Sequence, residues 1–189
     1  EQRLETLAKP AAAAPIAKPK GWRFIHPWSM PIMASLLLLL WVGIGLGPTY
    51  FADYRTLTGE QRTLQLSDGS ILVLNTASAV SLDFTAARRT VILHEGEVYF
   101  KVAKDADRPF EVHTENGWVR ALGTAFDVKQ QGETMTVTVY EHAVRVGFSQ
   151  GKTIERLQES ERIVSHEGRS APIETVNLKE AQAWRGHRL

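Results

Sequence analysis

Residues 134–139 read Thr-Met-Thr-Val-Thr-Val, with Met135, Val137 and Val139 on one side of an extended chain and three threonines on the other. A half-buried strand needs that pattern, because successive side chains point to opposite faces of a sheet. The same signature recurs along residues 54–175. RTLQLSDGSILVLN places an Asp68-Gly69 turn between two apolar runs, TVILHEGEVYFKVA places Glu95-Gly96, and FEVHTENGWVRAL places Asn116-Gly117. Each dipeptide is of the kind that reverses a chain between paired strands. No stretch before residue 176 carries a helical period, and VNLKEAQAWRG near the end is the one candidate helix. About eight to eleven short strands at this spacing predict an all-β domain, solenoid-like or sandwich-like, of short antiparallel or parallel strands.

From Pro27 to Ala52 the chain has no charged residue. At about 1.5 Å per residue the stretch is long enough to cross a hydrocarbon layer of about 30 Å, so residues 28–50 are expected to form one transmembrane helix. Trp22, Trp28, Tyr50 and Tyr54 flank it, as amphipathic rings do at a membrane surface. Lys18, Lys20 and Arg23 precede it and Asp53 follows. The positive-inside rule then places the N-terminus in the cytoplasm and the remainder outside. A cleaved signal peptide is the competing reading, but the segment after the apolar core offers no clear A-x-A site. Residues 1–27, with KPAAAAPIAKPKG, lack the side chains for a core and read as a cytoplasmic juxtamembrane linker. EQRLETLAK resembles a helix end, so a larger N-terminal portion is expected upstream. Residues 51–189 form the β domain.

The 189 residues carry a net charge of +1, which gives no basis for nucleic-acid binding. With no cysteine, disulfides, Cys-zinc sites and thiol catalysis are excluded. His94, His113, His142 and His166 stand singly, without HxH or HExxH spacing, so neither a metal site nor a cofactor is expected. Asp105 and Asp107 beside Arg108 read as a solvated charged loop. Arg88-Arg89 reads as a hairpin tip, either solvated or docking an acidic partner.

The strings GEQRTLQLSDGSILVLNTASAVSLDF, VILHEGEVYFKVAKDADRPFEVHTENGWVRALGTAFDV and TVTVYEHAVRV closely resemble the FecR family of envelope regulators that control iron-uptake sigma factors. The likeness covers Gly59 to about Val146 and continues weakly over Leu157 to Trp184. It implies a single-pass inner-membrane regulator of the anti-sigma type with a periplasmic sensor domain. Such a regulator relays occupancy of a TonB-dependent siderophore receptor, through the receptor's signalling domain, to an extracytoplasmic-function sigma factor. The module that would hold the sigma factor, and a further receptor-binding module, are expected to lie outside this chain. At Tyr140-Glu141-His142-Ala143 the family usually has an Glu-Gly turn, so His142 implies a different or strained turn.

The resemblance also gives meaning to RALGTAFDV. In some family members the Gly-Thr bond of this motif is cut by its own threonine, and Gly123-Thr124 is the corresponding pair. Glycine permits a strained backbone and threonine supplies an internal nucleophile. A general base is required, and His113 or Asp127 are the candidates in neighbouring segments. The alternative makes Gly123 a bulge residue and Thr124 an ordinary strand residue. No enzymatic activity beyond such self-cleavage is expected. The second functional reading is a membrane-tethered domain that binds polysaccharide or other envelope partners without a sigma factor. A glycan binder exposes flat rings, whereas Phe84, Tyr99, Phe100, Phe110, Trp118 and Phe126 fall mostly at positions suited to burial.

Overall fold

The computed structural model describes Ser35, residues 52–150 and residues 154–186. The chain divides into two units, Glu1–Gly45 and Leu46–Leu189. Apart from Ser35, the linker and the membrane span expected over 1–27 and 28–50 lie outside the described residues. Among the described residues no helix is long and apolar enough to cross a membrane.

The second unit contains β1 (Tyr54–Arg55), β2 (Arg62–Gln65), β3 (Ile71–Leu74), β4 (Ala79–Phe84), β5 (Arg89–Lys101), β6 (Phe110–Thr114) and β7 (Gly117–Ala121). It continues with β8 (Ala125–Gln131), β9 (Thr134–Glu141), β10 (Ala143–Phe148), β11 (Ile154–Gln158), β12 (Glu161–His166), β13 (Arg169–Ser170) and β14 (Glu174–Thr175). A helical turn at Leu178–Ala181 and a 3₁₀ turn at Ala183–Gly186 follow, where the sequence placed its one helix. The all-β class is as expected. The strands form one curled sheet, a half-barrel whose central path runs β11-β10-β7-β6-β5-β8-β9-β12-β13.

The curl is produced by β5. Its first half pairs with β4 and, in parallel, with β6, while its second half pairs with β3 and β8. The expected Glu95-Gly96 hairpin is therefore not a hairpin: thirteen residues run on as one strand. Gly96, with φ +93°, bends that strand instead of reversing it. A Cβ there would meet Ser78 Oγ at 2.3 Å and the Ala77 carbonyl at 2.7 Å, so only glycine lets the chain pass. The Asp68-Gly69 and Asn116-Gly117 turns do join hairpins, β2 to β3 and β6 to β7.

The concave side is filled from both halves of the sheet. Val80, Leu93, Val112, Val119 and Val146 meet Leu72, Phe100, Phe126, Val128 and Val137 in one apolar cluster. Phe100 stacks on Phe126 at 5.1 Å and meets the edge-on ring of Phe110 at 5.9 Å. Strand alternation puts these residues inside because their neighbours in the chain, among them Arg120, Arg145 and Lys129, are exposed.

Candidate functional site at the β7–β8 crossover

Gly123 and Thr124 do not interrupt a strand. They lie between β7 and β8, where the chain leaves one half of the curled sheet for the other. Gly123 has φ +137°, a backbone that side-chain-bearing residues avoid. A Cβ there would sit 3.1 Å from Cα and Cβ of Lys104. Thr124 is buried, its carbonyl accepts from the Val102 amide at 3.0 Å, and its Oγ1 has no hydrogen-bond partner. Burying a hydroxyl without a partner is costly, and Thr124 Oγ1 is therefore the uncommitted polar group of the crossover.

The crossover is held from beneath by residues that sequence reasoning assigned to the surface. Arg89 is wholly buried at the start of β5. Its guanidinium donates to Asp68 Oδ2 at 2.7 Å and to the carbonyls of Ala103, Asp105 and Arg108 at 3.0, 3.3 and 2.9 Å. Phe110 lies 5.5 Å from the guanidinium carbon. Only Arg88 is at the exposed tip, paired with Asp83 at 2.7 Å. Adjacent arginines look alike in sequence, and the difference arises because β5 begins at Arg89 and turns it inward.

Asp68 also accepts from the Ser70 amide and hydroxyl, at 3.0 and 2.7 Å. Burial acts to raise its pKa, but the bonds from Ser70 and Arg89 outweigh that and hold it below the ordinary carboxylate value. The clamp thus fixes the loop between β5 and β6, and that loop presents Lys104 against Gly123. The solvated Asp105–Arg108 turn expected from sequence is present, with an ion pair of 2.9 Å.

The two candidate bases are placed apart from Thr124. His113 lies on β6 and pairs with Glu111 at 3.0 Å, Glu111 being bridged to Arg120 at 2.7 Å. Asp127 is buried on the convex side of β8, where the Tyr140 hydroxyl donates to it. Neither is hydrogen-bonded to Thr124 Oγ1. His142 instead lines the same depression as Gly123 and Thr124, together with Lys104 and Arg156. Its φ of +64° accounts for the missing turn glycine noted in the sequence. Proximity across the β8–β9 ladder, where Ala125 faces Glu141, brings it there, and no local motif announces that.

Asp127 belongs to a second cluster. Tyr99, Ala125 and Tyr140 are covered by Leu178, Ala181 and Trp184 of the C-terminal turn, and Arg185 lies 3.8 Å over the Tyr99 ring. Burial raises the Asp127 pKa from 3.8 to about 7, partly opposed by the Tyr140 bond. Between those values the folded chain keeps a proton that the unfolded chain has released, so stability falls as pH rises through this window and levels off above it. Asp127→Asn is expected to flatten that dependence. Thermal melts at about pH 5 and about pH 8 check it, because the loss on raising pH, at most a few kcal/mol, should shrink in the variant.

His166 is less isolated than its sequence position suggested: its ring and the carboxylates of Glu133 and Glu167 have ligand-type atoms within 4.8 Å of one another, all exposed.

The architecture defines a curled β domain built around a glycine-threonine crossover and a buried Asp-Arg clamp. Residues 52–145 match the family described as FecR protein. This stretch of the chain is a FecR-type domain. Crystal structures of a candidate anti-sigma factor from Parabacteroides distasonis ATCC 8503, at 1.65 and 2.50 Å resolution, have a similar fold. Each has a TM-score of 0.64 and 30% identity, over 70% of this chain and 63% of theirs. This chain thus matches less than two thirds of that protein's length. No curated protein matches the chain.

Proposed function

We propose that the chain is the envelope part of an anti-sigma type regulator. It is anchored once in the inner membrane, with its N-terminus in the cytoplasm and its β domain in the periplasm. The likeness in fold to a candidate anti-sigma factor, together with the FecR match, carries this reading. The domain receives a signal from the signalling domain of a TonB-dependent outer-membrane receptor and passes it to an extracytoplasmic-function sigma factor. Ring burial counts against a glycan platform: Phe100, Phe110 and Phe126 have no exposed surface, and Tyr99 has 9%.

The Gly123-Thr124 bond is the proposed point of self-cleavage. Thr124 Oγ1 attacks the Gly123 carbonyl carbon and gives its proton to a base. The Thr124 amide nitrogen leaves as an amine, and an ester links the two residues. Water then hydrolyses the ester to a Gly123 carboxylate and the free Thr124 hydroxyl. An uncommitted hydroxyl and a glycine held at positive φ support this step, since amide-to-ester exchange needs a strained bond. His142 lines the same depression and is proposed as the base in place of His113 and Asp127.

The regulatory role is tested by removing residues 52–186 from the protein in its own cell and reading the transcripts. Altered expression confined to genes under one extracytoplasmic-function sigma factor is the expected result. An unchanged sigma-dependent transcript set, with the truncated protein present, contradicts it.

A further inference from the structure

On the convex side, three arginines stand shoulder to shoulder. Arg145 on β10 is directly opposite Arg120 on β7 and, on its other side, Arg156 on β11. All three are exposed. Like charges facing each other across strands destabilise a sheet, so nothing in the fold calls for this row. Arg120 is compensated: it bridges to Glu111 at 2.7 Å and stacks on Trp118 at 5.4 Å. Arg145 and Arg156 have no ion-pair partner among the described residues.

The row borders a trough. Pro109, Leu122, Ala143 and Val144 line it beside the arginines, and it continues past Lys104 to Gly123 and Thr124. Leu122 is 51% exposed there, an apolar side chain among cations. We propose that this trough docks an acidic, extended segment of a partner protein, with carboxylates on Arg145, Arg156 and Lys104 and an apolar side chain on Leu122. Arg145 and Arg156 sit on adjacent strands about 4.8 Å apart, and their flexible side chains can meet carboxylates at alternate positions of an extended peptide, about 6.8 Å apart, with Lys104 further along the trough. A single small anion has no use for such a spread or for Leu122, so a peptide is the occupant the surface fits. The inference stands apart from the sigma-factor reading and holds whether or not Gly123-Thr124 is cut.

The test uses the full chain in non-ionic detergent and a short fluorescein-labelled peptide of alternating glutamate and threonine, read by anisotropy. Binding is expected to weaken about tenfold or more in the Arg145→Glu, Arg156→Glu double variant and with added salt. Lys101→Glu with Lys129→Glu, the same charge change at exposed positions of the sheet's other half, should leave it unchanged. Arg145→Gln with Arg156→Gln keeps the fold question separate. That pair relieves repulsion, so it should melt no lower than the parent and still lose the peptide. Equal weakening by both charge-reversal pairs, or tight binding of the matching glutamine peptide, overturns the proposal. So does dextran sulfate binding as well as the peptide and depending on the same two arginines, since any polyanion would then do.

Discussion

Replacing Arg89 with alanine is expected to destabilise the β domain by about 3–5 kcal/mol, because it leaves Asp68 charged and buried without its partner. At that size the melting midpoint falls by on the order of 10 °C. The ion pair is only part of the effect. Three loop carbonyls, of Ala103, Asp105 and Arg108, take their donor from the same guanidinium, and lose it together. A double variant, Asp68→Asn with Arg89→Met, separates the two contributions. It removes both charges and keeps the bulk, yet about 2 kcal/mol of the loss should remain because the carbonyls stay unpaired. Full recovery in the double variant would mean that the ion pair alone matters. Chemical denaturation of the three proteins decides between these outcomes. Acid should act in the same direction, since the Asp68 pKa is depressed in the folded state. Its contribution is present at neutral pH and lost as pH falls through that lowered value.

Gly96→Ala is expected to be as damaging by another route. The added methyl would overlap Ser78 Oγ at 2.3 Å, Ser78 Cα at 2.5 Å and the Ala77 carbonyl at 2.7 Å. Two of those are backbone atoms of the turn between β3 and β4, which hydrogen bonds to Thr56 and Leu57 hold in place, so they cannot swing aside. The positive φ adds strain for any side chain, so the total is about 3 kcal/mol or more. Gly132→Ala provides the comparison: its φ is also positive, at +52°, but nothing lies within 4 Å of the new methyl. It should lose about 1 kcal/mol. Yields of folded protein and urea midpoints read both. Comparable losses at the two glycines would show that conformation, not the tight passage of β5 beside Ser78, governs Gly96.

The strands were legible because they obey a period of two, and the turns at Asp68-Gly69 and Asn116-Gly117 because their chemistry is local. Three of the fourteen described strands, β1, β13 and β14, have two residues each and carry no readable period. Glu95-Gly96 was misleading for a physical reason: the same positive-φ glycine serves a reversal and a bend, and only the partners at Ser78 and Ala77 tell them apart. Arg89 shows the same limit from the opposite side. A fully buried arginine is recognised by the three carbonyls that surround it, and these come from a loop more than a dozen residues away. At the crossover, the Gly-Thr pair was visible as an oddity and the family resemblance gave it a chemistry. What sequence could not supply was the neighbour: His113 and Asp127 are close in the chain, whereas His142 reaches the site through sheet pairing. The arginine row is likewise a product of register, since Arg120, Arg145 and Arg156 are far apart until β7, β10 and β11 align.

Self-cleavage at Gly123-Thr124 is the central proposal for this domain, and intact mass is the direct measure of it. The full chain, tagged at both ends, is purified folded beside Thr124→Ala and weighed. Two wild-type fragments are expected, residues 1–123 and 124–189, that remain associated and together exceed the intact chain by one water, while Thr124→Ala stays whole. A wild-type chain that is folded and uncut, with a mass equal to that of its sequence and tags, would contradict it and leave Gly123 as the residue that lets β7 cross to β8.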